Sequence, residues 1–286
     1  MILYMWLLQT LLFVGLLCFT YSNINYEPTL AKYYVNVVQS TYCISSPTIW
    51  NCVTCNKNII PEYVVEKDGV RVIQGYDSQN NVLFTAFRGS SNIQNWIDNI
   101  QISKVSPYND TSIEVEKGFF TAYTYVNTEL IVNIGILSTK YSTTNIIVAG
   151  HSLGGALATL MAYNIVNEYN KYSIINVFTY GSPRIGNENF VKSFEKYNIP
   201  SHRITHYYDM VPHVPEEFVG YLHVSNEIWY NEDNSHYKLC NDYNIPEDDS
   251  CSNSCAPLHC TSTKDHLYYL NVSLGNDPVC FTSSYT

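Results

Sequence analysis

Apolar positions along the chain fall into two patterns. Val82-Leu83-Phe84-Thr85-Ala86-Phe87 and Ile146-Ile147-Val148-Ala149 are short, nearly unbroken runs, as strands buried on both faces present. Residues 174–180 and 202–208 read as further sheet strands, and 223–230 is strand-like. Val64-Val65 and Val70-Arg71-Val72-Ile73 predict short antiparallel strands. Helices are predicted over 26–42, 119–137, 153–169 and 187–197. Residues 92–101 carry a shorter helical stripe, Ile93, Trp96, Ile97 and Ile100, opposite Gln94, Asn95, Asp98, Asn99 and Gln101. Strands alternating with helices predict an α/β fold with a mainly parallel central sheet covered by helices on both faces. Residues 43–61 and 238–260 read as cysteine-bearing loops. The pattern holds no internal repeat and no second-domain boundary, so 23–286 reads as one domain.

The start of the chain has a different character. Residues 2–19 are almost wholly apolar, no charged side chain precedes Glu27, and small polar residues follow at 20–23. Residues 1–22 read as a secretory signal peptide, with an uncleaved anchor as the alternative because the run is long and lacks Lys or Arg before it. Of nine cysteines, Cys18 lies in this leader, and the even set that remains fits disulfides in an exported chain. Cys52-x-x-Cys55 and the group Cys251, Cys255 and Cys260 also suggest zinc, but the groups are far apart and export favours bridges, so no metal is expected. Asn109-Asp110-Thr111 and Asn271-Val272-Ser273 are glycosylation sequons. A net charge of −10 argues against nucleic acid and anionic membrane surfaces as partners, and leaves a neutral lipid surface open.

The strongest chemical signal is Gly150-His151-Ser152-Leu153-Gly154-Gly155, G-x-S-x-G between a buried strand and a helical run. That context lifts a serine onto a sharp turn above a helix N-terminus, where free N–H groups face a developing oxyanion. A purely structural Gly/Ser turn is the plain alternative. Ser152 then needs a base, and the base an orienting carboxylate, in the order Ser, acid, His. Asp209 follows a strand-like run and precedes Met210-Val211-Pro212-His213-Val214-Pro215, whose prolines predict a rigid loop; an ordinary turn residue is the alternative. By order alone His213, His223, His236, His259 and His266 all qualify as the base, His213 lying awkwardly close to Asp209 in sequence. The backbone N–H of Leu153 and the turn at Ser90, after strand 82–87, are the expected oxyanion donors. Beside that turn, the stripe of 92–101 is either a surface helix packed on the core or a lid.

In their order and spacing, several segments together resemble the fungal-type (class 3) triacylglycerol lipases, a branch of the α/β hydrolases. They are Tyr42-Cys43, Trp50-Asn51-Cys52-x-x-Cys55, the run from Phe87 to Trp96, Lys117-Gly118-Phe119, Gly150 to Gly155, Tyr180 to Asn187, Asp209 to Pro215, and Asp265-His266-x-x-Tyr269. The resemblance implies an α/β-hydrolase fold with a short helical lid, and Ser152 as nucleophile, Asp209 as acid and His266 as base. It implies Ser90 and Leu153 as oxyanion donors and a lid over Asn92, Ile93, Trp96, Ile97 and Asp98, and it gives Gly181-Ser182-Pro183-Arg184 a structural part. It also implies the pairs Cys43–Cys280, Cys52–Cys55 and Cys240–Cys251. Cys255 and Cys260 fall outside that pattern, and either pair with each other or exchange partners with Cys240 and Cys251. The implied protein is a monomeric serine hydrolase of acylglycerol esters that works at an oil–water interface, secreted or, as the alternative, held in the lumen of the secretory or lysosomal pathway. It needs no cofactor and does not insert stably in a membrane once the leader is removed. A phospholipase, a galactolipase or a feruloyl-type soluble esterase is the alternative within the family, transfer to an alcohol shares its acyl-enzyme, and a non-catalytic lipid-binding relative is the alternative outside catalysis.

Overall fold

The computed structural model describes residues 25–98, 100, 102–240, 247–256, 259–275 and 280. The expected leader lies outside the described residues. In chain order the elements are helix α1 (Pro28–Cys43), strands β1 (Ile59–Lys67), β2 (Val70–Asp77) and β3 (Val82–Phe87), helix α2 (Ile93–Asp98), strands β4 (Lys104–Val105) and β5 (Val115–Glu116), helix α3 (Lys117–Tyr141), strand β6 (Asn145–His151), helix α4 (Leu153–Glu168), strand β7 (Ser173–Tyr180), helix α5 (Glu188–Lys196), strands β8 (Ser201–His206), β9 (Glu227–Tyr230) and β10 (Tyr237–Leu239), helix α6 (Thr263–His266), and strands β11 (Tyr268–Tyr269) and β12 (Val272–Ser273).

Eight strands form one sheet in the order β1-β2-β3-β6-β7-β8-β9-β10. The neighbours from β3 to β9 run parallel, while β1, β2 and β10 are antiparallel at the two edges. Strand parity divides the core. Leu83, Phe87, Ile146 and Val148 face one layer with Phe119, Tyr123 and Leu130 of α3 and Leu157, Leu160 and Met161 of α4. Phe84, Ala86, Ile147 and Ala149 face the other, with Tyr34, Val35 and Val38 of α1 and Tyr269, Leu270 and Val272 of the C-terminal ribbon. The sheet is thus a mainly parallel α/β sheet with helices on both faces.

Local chemistry sets the helix starts. Pro28 opens α1, where a missing N–H costs nothing. The buried Glu116 carboxylate accepts the Phe119 N–H at 2.6 Å to cap α3, and Asn187 accepts the Phe190 N–H at 3.0 Å to cap α5. Burial of Glu116 raises its carboxyl above the usual range, against the pull of the helix N–H groups.

Several boundaries differ from expectation; α3, for example, runs from Lys117 to Tyr141, and β8 ends at His206. Strands β1 and β2 run to nine and eight residues, with a register shift between Pro61 and Tyr63. Helix α2 stops at Asp98, not 101, yet Ile100 still packs on the core from irregular backbone. The strand expected over 223–230 starts at Glu227, because Asn226 takes a left-handed φ of 71°. Part of the expected loop 238–260 is the edge strand β10.

Four disulfides join Cys43–Cys280, Cys52–Cys55, Cys240–Cys251 and Cys255–Cys260. The first spans 237 residues of sequence and clamps the end of α1. Replacing both Cys43 and Cys280 by Ser is expected to lower the unfolding free energy by roughly 2–5 kcal/mol, the range for a long closed loop. Urea denaturation of the oxidised protein checks this.

Candidate active site

The parallel strands β3, β6, β7 and β8 all point their C-terminal ends to one edge of the sheet, and each candidate residue follows one of those ends or packs against it. Strand β6 ends at His151, α4 begins at Leu153, and Ser152 bridges them with φ 58° and ψ −129°. A non-glycine residue there is strained, and the strain holds the serine on a sharp turn. The turn is tight enough that a Cβ on Gly150 would lie 2.0 Å from the Gly154 carbonyl oxygen.

Asp209 lies three residues beyond β8, its N–H bonded to the His206 carbonyl at 2.9 Å. Its carboxylate accepts the Val211 N–H at 2.8 Å and the Tyr269 hydroxyl. It also accepts from His266 Nδ1, at 2.9 and 3.0 Å to its two oxygens. His266 ends α6, a single turn whose cap, Ser262, accepts the Asp265 N–H at 3.0 Å and donates its own N–H to Tyr208 at 3.0 Å. That anchor sets the imidazole against Asp209. The bond to Asp209 puts the ring proton on Nδ1 and leaves Nε2 as the basic nitrogen. Ser152 Oγ and His266 Nε2 are both buried with no hydrogen-bond partner among the described residues. The structure brings Asp209 and His266 into direct contact and draws no bond between His266 and Ser152.

The other histidines lie elsewhere. His223 Nε2 bonds the Pro212 carbonyl at 2.7 Å, and burial and nearby arginines hold it well below the ordinary range. Burial, assisted by Arg184, lowers His213 to about 4. His236 and His259 are exposed.

The loop after Asp209 rests on a buried cation. Arg184 donates to the carbonyls of His213 and Pro215 at 2.8 and 3.1 Å and pairs with Glu247 at 2.5 Å, both side chains nearly inaccessible. Gly181, the first residue after β7, takes φ +59°; a Cβ there would lie 2.6 Å from Asp209 Oδ2 and 2.9 Å from His266 Nδ1. The segment 181–184 therefore backs the acid–base pair directly. Its sequence signal was visible, but its partners, Glu247 above all, are far away in the chain.

Ser90 and Leu153 are half-buried, on the loop after β3 and in the first turn of α4. The Ser90 hydroxyl donates to the Asn92 carbonyl at 3.2 Å and accepts the Asn92 N–H at 3.3 Å. Asn92 Oδ1 in turn accepts the Asn95 N–H at 3.1 Å, capping α2. Ile93, Trp96 and Ile97 are half-buried, and Trp96 stacks on Phe119 with ring centroids 5.9 Å apart. The side chain of Asp98 lies outside the described residues. Sequence reasoning gave no part to Tyr42, Tyr269 or His151, which all contact this site. Both cysteine groups weighed as zinc ligands are tied up in disulfides, the first as Cys52–Cys55 and the second as Cys240–Cys251 and Cys255–Cys260, so their thiolates are consumed.

The family described as "Lipase (class 3)" matches residues 84–219. The chain is 32% identical to a lipase of Rhizomucor miehei over 254 residues, 85% of this chain and 68% of that one. The chain belongs to the class 3 lipase family. It is also 31% identical to a Rhizopus niveus lipase, covering 85% of this chain and 63% of that one. The solved structure of lipase II from Rhizopus niveus superposes with a TM-score of 0.81 at 28% identity, over 87% of this chain and 96% of that one. A solved triacylglycerol lipase with a serine-protease triad at its catalytic centre superposes with a TM-score of 0.80 at 29% identity, over 87% and 96%. The chain thus spans about two thirds of the length of these lipases as sequences, 68% and 63%, and nearly all of the solved ones. Within the class 3 lipases it is a carboxylic ester hydrolase. Among the described residues no helix is long and apolar enough to cross a membrane.

Two expectations follow. Gly181→Ala pushes a methyl group into the Asp209–His266 contact and is expected to lower kcat about 100-fold or more while the far-ultraviolet spectrum stays native. Separately, His202 and His213 are both held to about 4 by burial, below the ordinary 6.5. The unfolded chain takes up these protons first. The stability they lend is therefore complete above pH 6.5 and is lost as pH falls from 6.5 toward 4, by up to about 3 kcal/mol each. Urea midpoints at pH 8, 6 and 4.5 should fall in that order.

Proposed function

We propose that this lipase is a secreted serine hydrolase that cleaves acylglycerol esters at a lipid–water interface through an acyl-enzyme. The observation that carries the reading is the buried Asp209–His266 contact beside a strained Ser152, with Ser152 Oγ and His266 Nε2 both unpartnered. In this reading His266 Nε2 takes the Ser152 proton as Oγ attacks the ester carbonyl. The tetrahedral oxyanion is held by the N–H of Leu153 and by Ser90. His266 returns its proton to the departing alkoxide, which leaves as alcohol. A water molecule then gives a proton to His266 and attacks the acyl-Ser152 carbonyl, and His266 returns that proton to Ser152 Oγ as the ester bond breaks and the fatty acid leaves. Asp209 keeps the ring oriented and stabilises its cation, and no step calls for a metal or organic cofactor.

The stripe on α2 supports a lipid substrate. With Trp96 on Phe119 the apolar face is turned to the protein, and a lipid surface offers an alternative partner for it. In this reading Ser90 Oγ, which here donates to the Asn92 carbonyl, turns to the oxyanion when substrate binds. The leader-like residues 1–22 and the four disulfides support export.

Protein lacking residues 1–22 is expected to hydrolyse a long-chain triacylglycerol emulsion faster than a dissolved short-chain ester. Ser152→Ala is expected to lower both rates by about 10³-fold or more. Equal wild-type rates on emulsion and dissolved ester would remove the interfacial part of the reading. A Ser152→Ala rate within tenfold of wild type would remove the nucleophile.

A further inference from the structure

Two side chains beside the elbow take no part in those steps. Tyr42, near the end of α1, is half-buried, and His151, the last residue of β6, is buried. Three hydrogen bonds join them to the reacting segments. The Gly89 N–H donates to Tyr42 Oη at 2.9 Å. Tyr42 Oη lies 2.6 Å from His151 Nδ1, and His151 Nε2 lies 2.8 Å from the carbonyl oxygen of His266.

Donor logic fixes the protons. A carbonyl only accepts, so His151 Nε2 carries the hydrogen and donates to His266. Nδ1 of the neutral ring then accepts from the Tyr42 hydroxyl, whose own lone pair takes the Gly89 N–H. Burial, and after it the neighbouring His266, hold His151 well below its ordinary range. Burial of the Tyr42 hydroxyl pushes the phenol upward, so it keeps its proton. The rings of His151 and His266 lie 4.6 Å apart, so a charge on His151 would oppose the charge His266 acquires in the reaction.

We propose that Tyr42 and His151 are positioning residues that work as a single relay, setting the oxyanion loop, the elbow and the base-bearing turn at fixed distances from one another. Gly89 precedes Ser90, His151 precedes Ser152, and the relay ends on the backbone of His266 itself. The three bonds bridge sequence separations of 47, 109 and 115 residues, so no local element duplicates them. The relay touches neither Ser152 Oγ nor His266 Nε2. Its effect falls on transition-state geometry, where misplacement by about 1 Å costs on the order of 100-fold. This inference rests on the triad reading above.

The test uses the enzyme on a dissolved short-chain ester, with active sites counted by a serine-directed phosphonate for wild type, Tyr42→Phe, His151→Phe and the double variant, and with Ser152→Ala compared at equal protein concentration. Each single variant is expected to lower kcat about 10- to 100-fold with KM within threefold. The double variant is expected to lose no more than the worse single one, because either change breaks the same relay. If Ser152→Ala is inactive while Tyr42→Phe keeps kcat within twofold, or the two losses multiply, the relay is wrong and the triad reading stands. If Ser152→Ala stays active, the triad reading fails and the relay with it. Should the substitutions prevent folding, nitrogen-15 spectra of the wild type decide. A His151 ring protonated on Nε2 alone from pH 8 to pH 5.5 supports the relay; an Nδ1-protonated ring, or one that titrates near 6.5, overturns it.

Discussion

The site depends on how the Asp209 carboxylate is satisfied away from water. It takes donors from three separate parts of the chain: the next turn through Val211, α6 through His266, and β11 through Tyr269. A buried carboxylate without such partners is costly, so the three segments gain by converging on it. Convergence of this kind rigidifies, because losing one donor leaves the others around an undersatisfied group. The loop that carries Asp209 is held in turn from below by Arg184 and Glu247, a pair nearly sealed from solvent. Such a pair is a weak source of net stability, and its hydrogen bonds to His213 and Pro215 give it a directional role instead.

The sheet supplies the frame for that convergence. Parallel pairing from β3 to β9 places the ends of successive strands side by side, so residues far apart in sequence meet at one edge. The antiparallel strands β1, β2 and β10 finish the sheet without contributing to that edge. Both layers are filled by large apolar side chains of the strands and the helices that cover them.

Much of this was legible in the amino-acid order. The unbroken runs at 82–87 and 146–149 announce doubly buried strands, and G-x-S-x-G between a strand and a helix announces an elbow. Which face Ile146 or Ile147 takes was not legible, since a run apolar at every position carries no parity. The end of α2 was missed for a related reason: Ile100 continues the stripe because it packs on the core, though its backbone is no longer helical. Five histidines qualified by order; the apolar run 267–270 that follows His266 pointed to it, and the family resemblance then favoured it. In the structure the choice follows from the Ser262 cap and the bond to Tyr208, both set by tertiary contact. Tyr42, His151 and Glu247 were given no role because each acts through a partner more than 40 residues away, and a single sequence carries no trace of such pairs.

The long covalent link has a consequence in time as well as in space. Translation reaches Cys280 only after every other described element has emerged, while its partner Cys43 lies in the first of them, next to Tyr42. A growing chain can lay down strands and helices in order, but the end of α1 stays uncrosslinked until Cys280 has been made. Prematurely terminated chains that lack Cys280 therefore lack this clamp, and the ring they fail to close is the one that encloses every candidate catalytic residue.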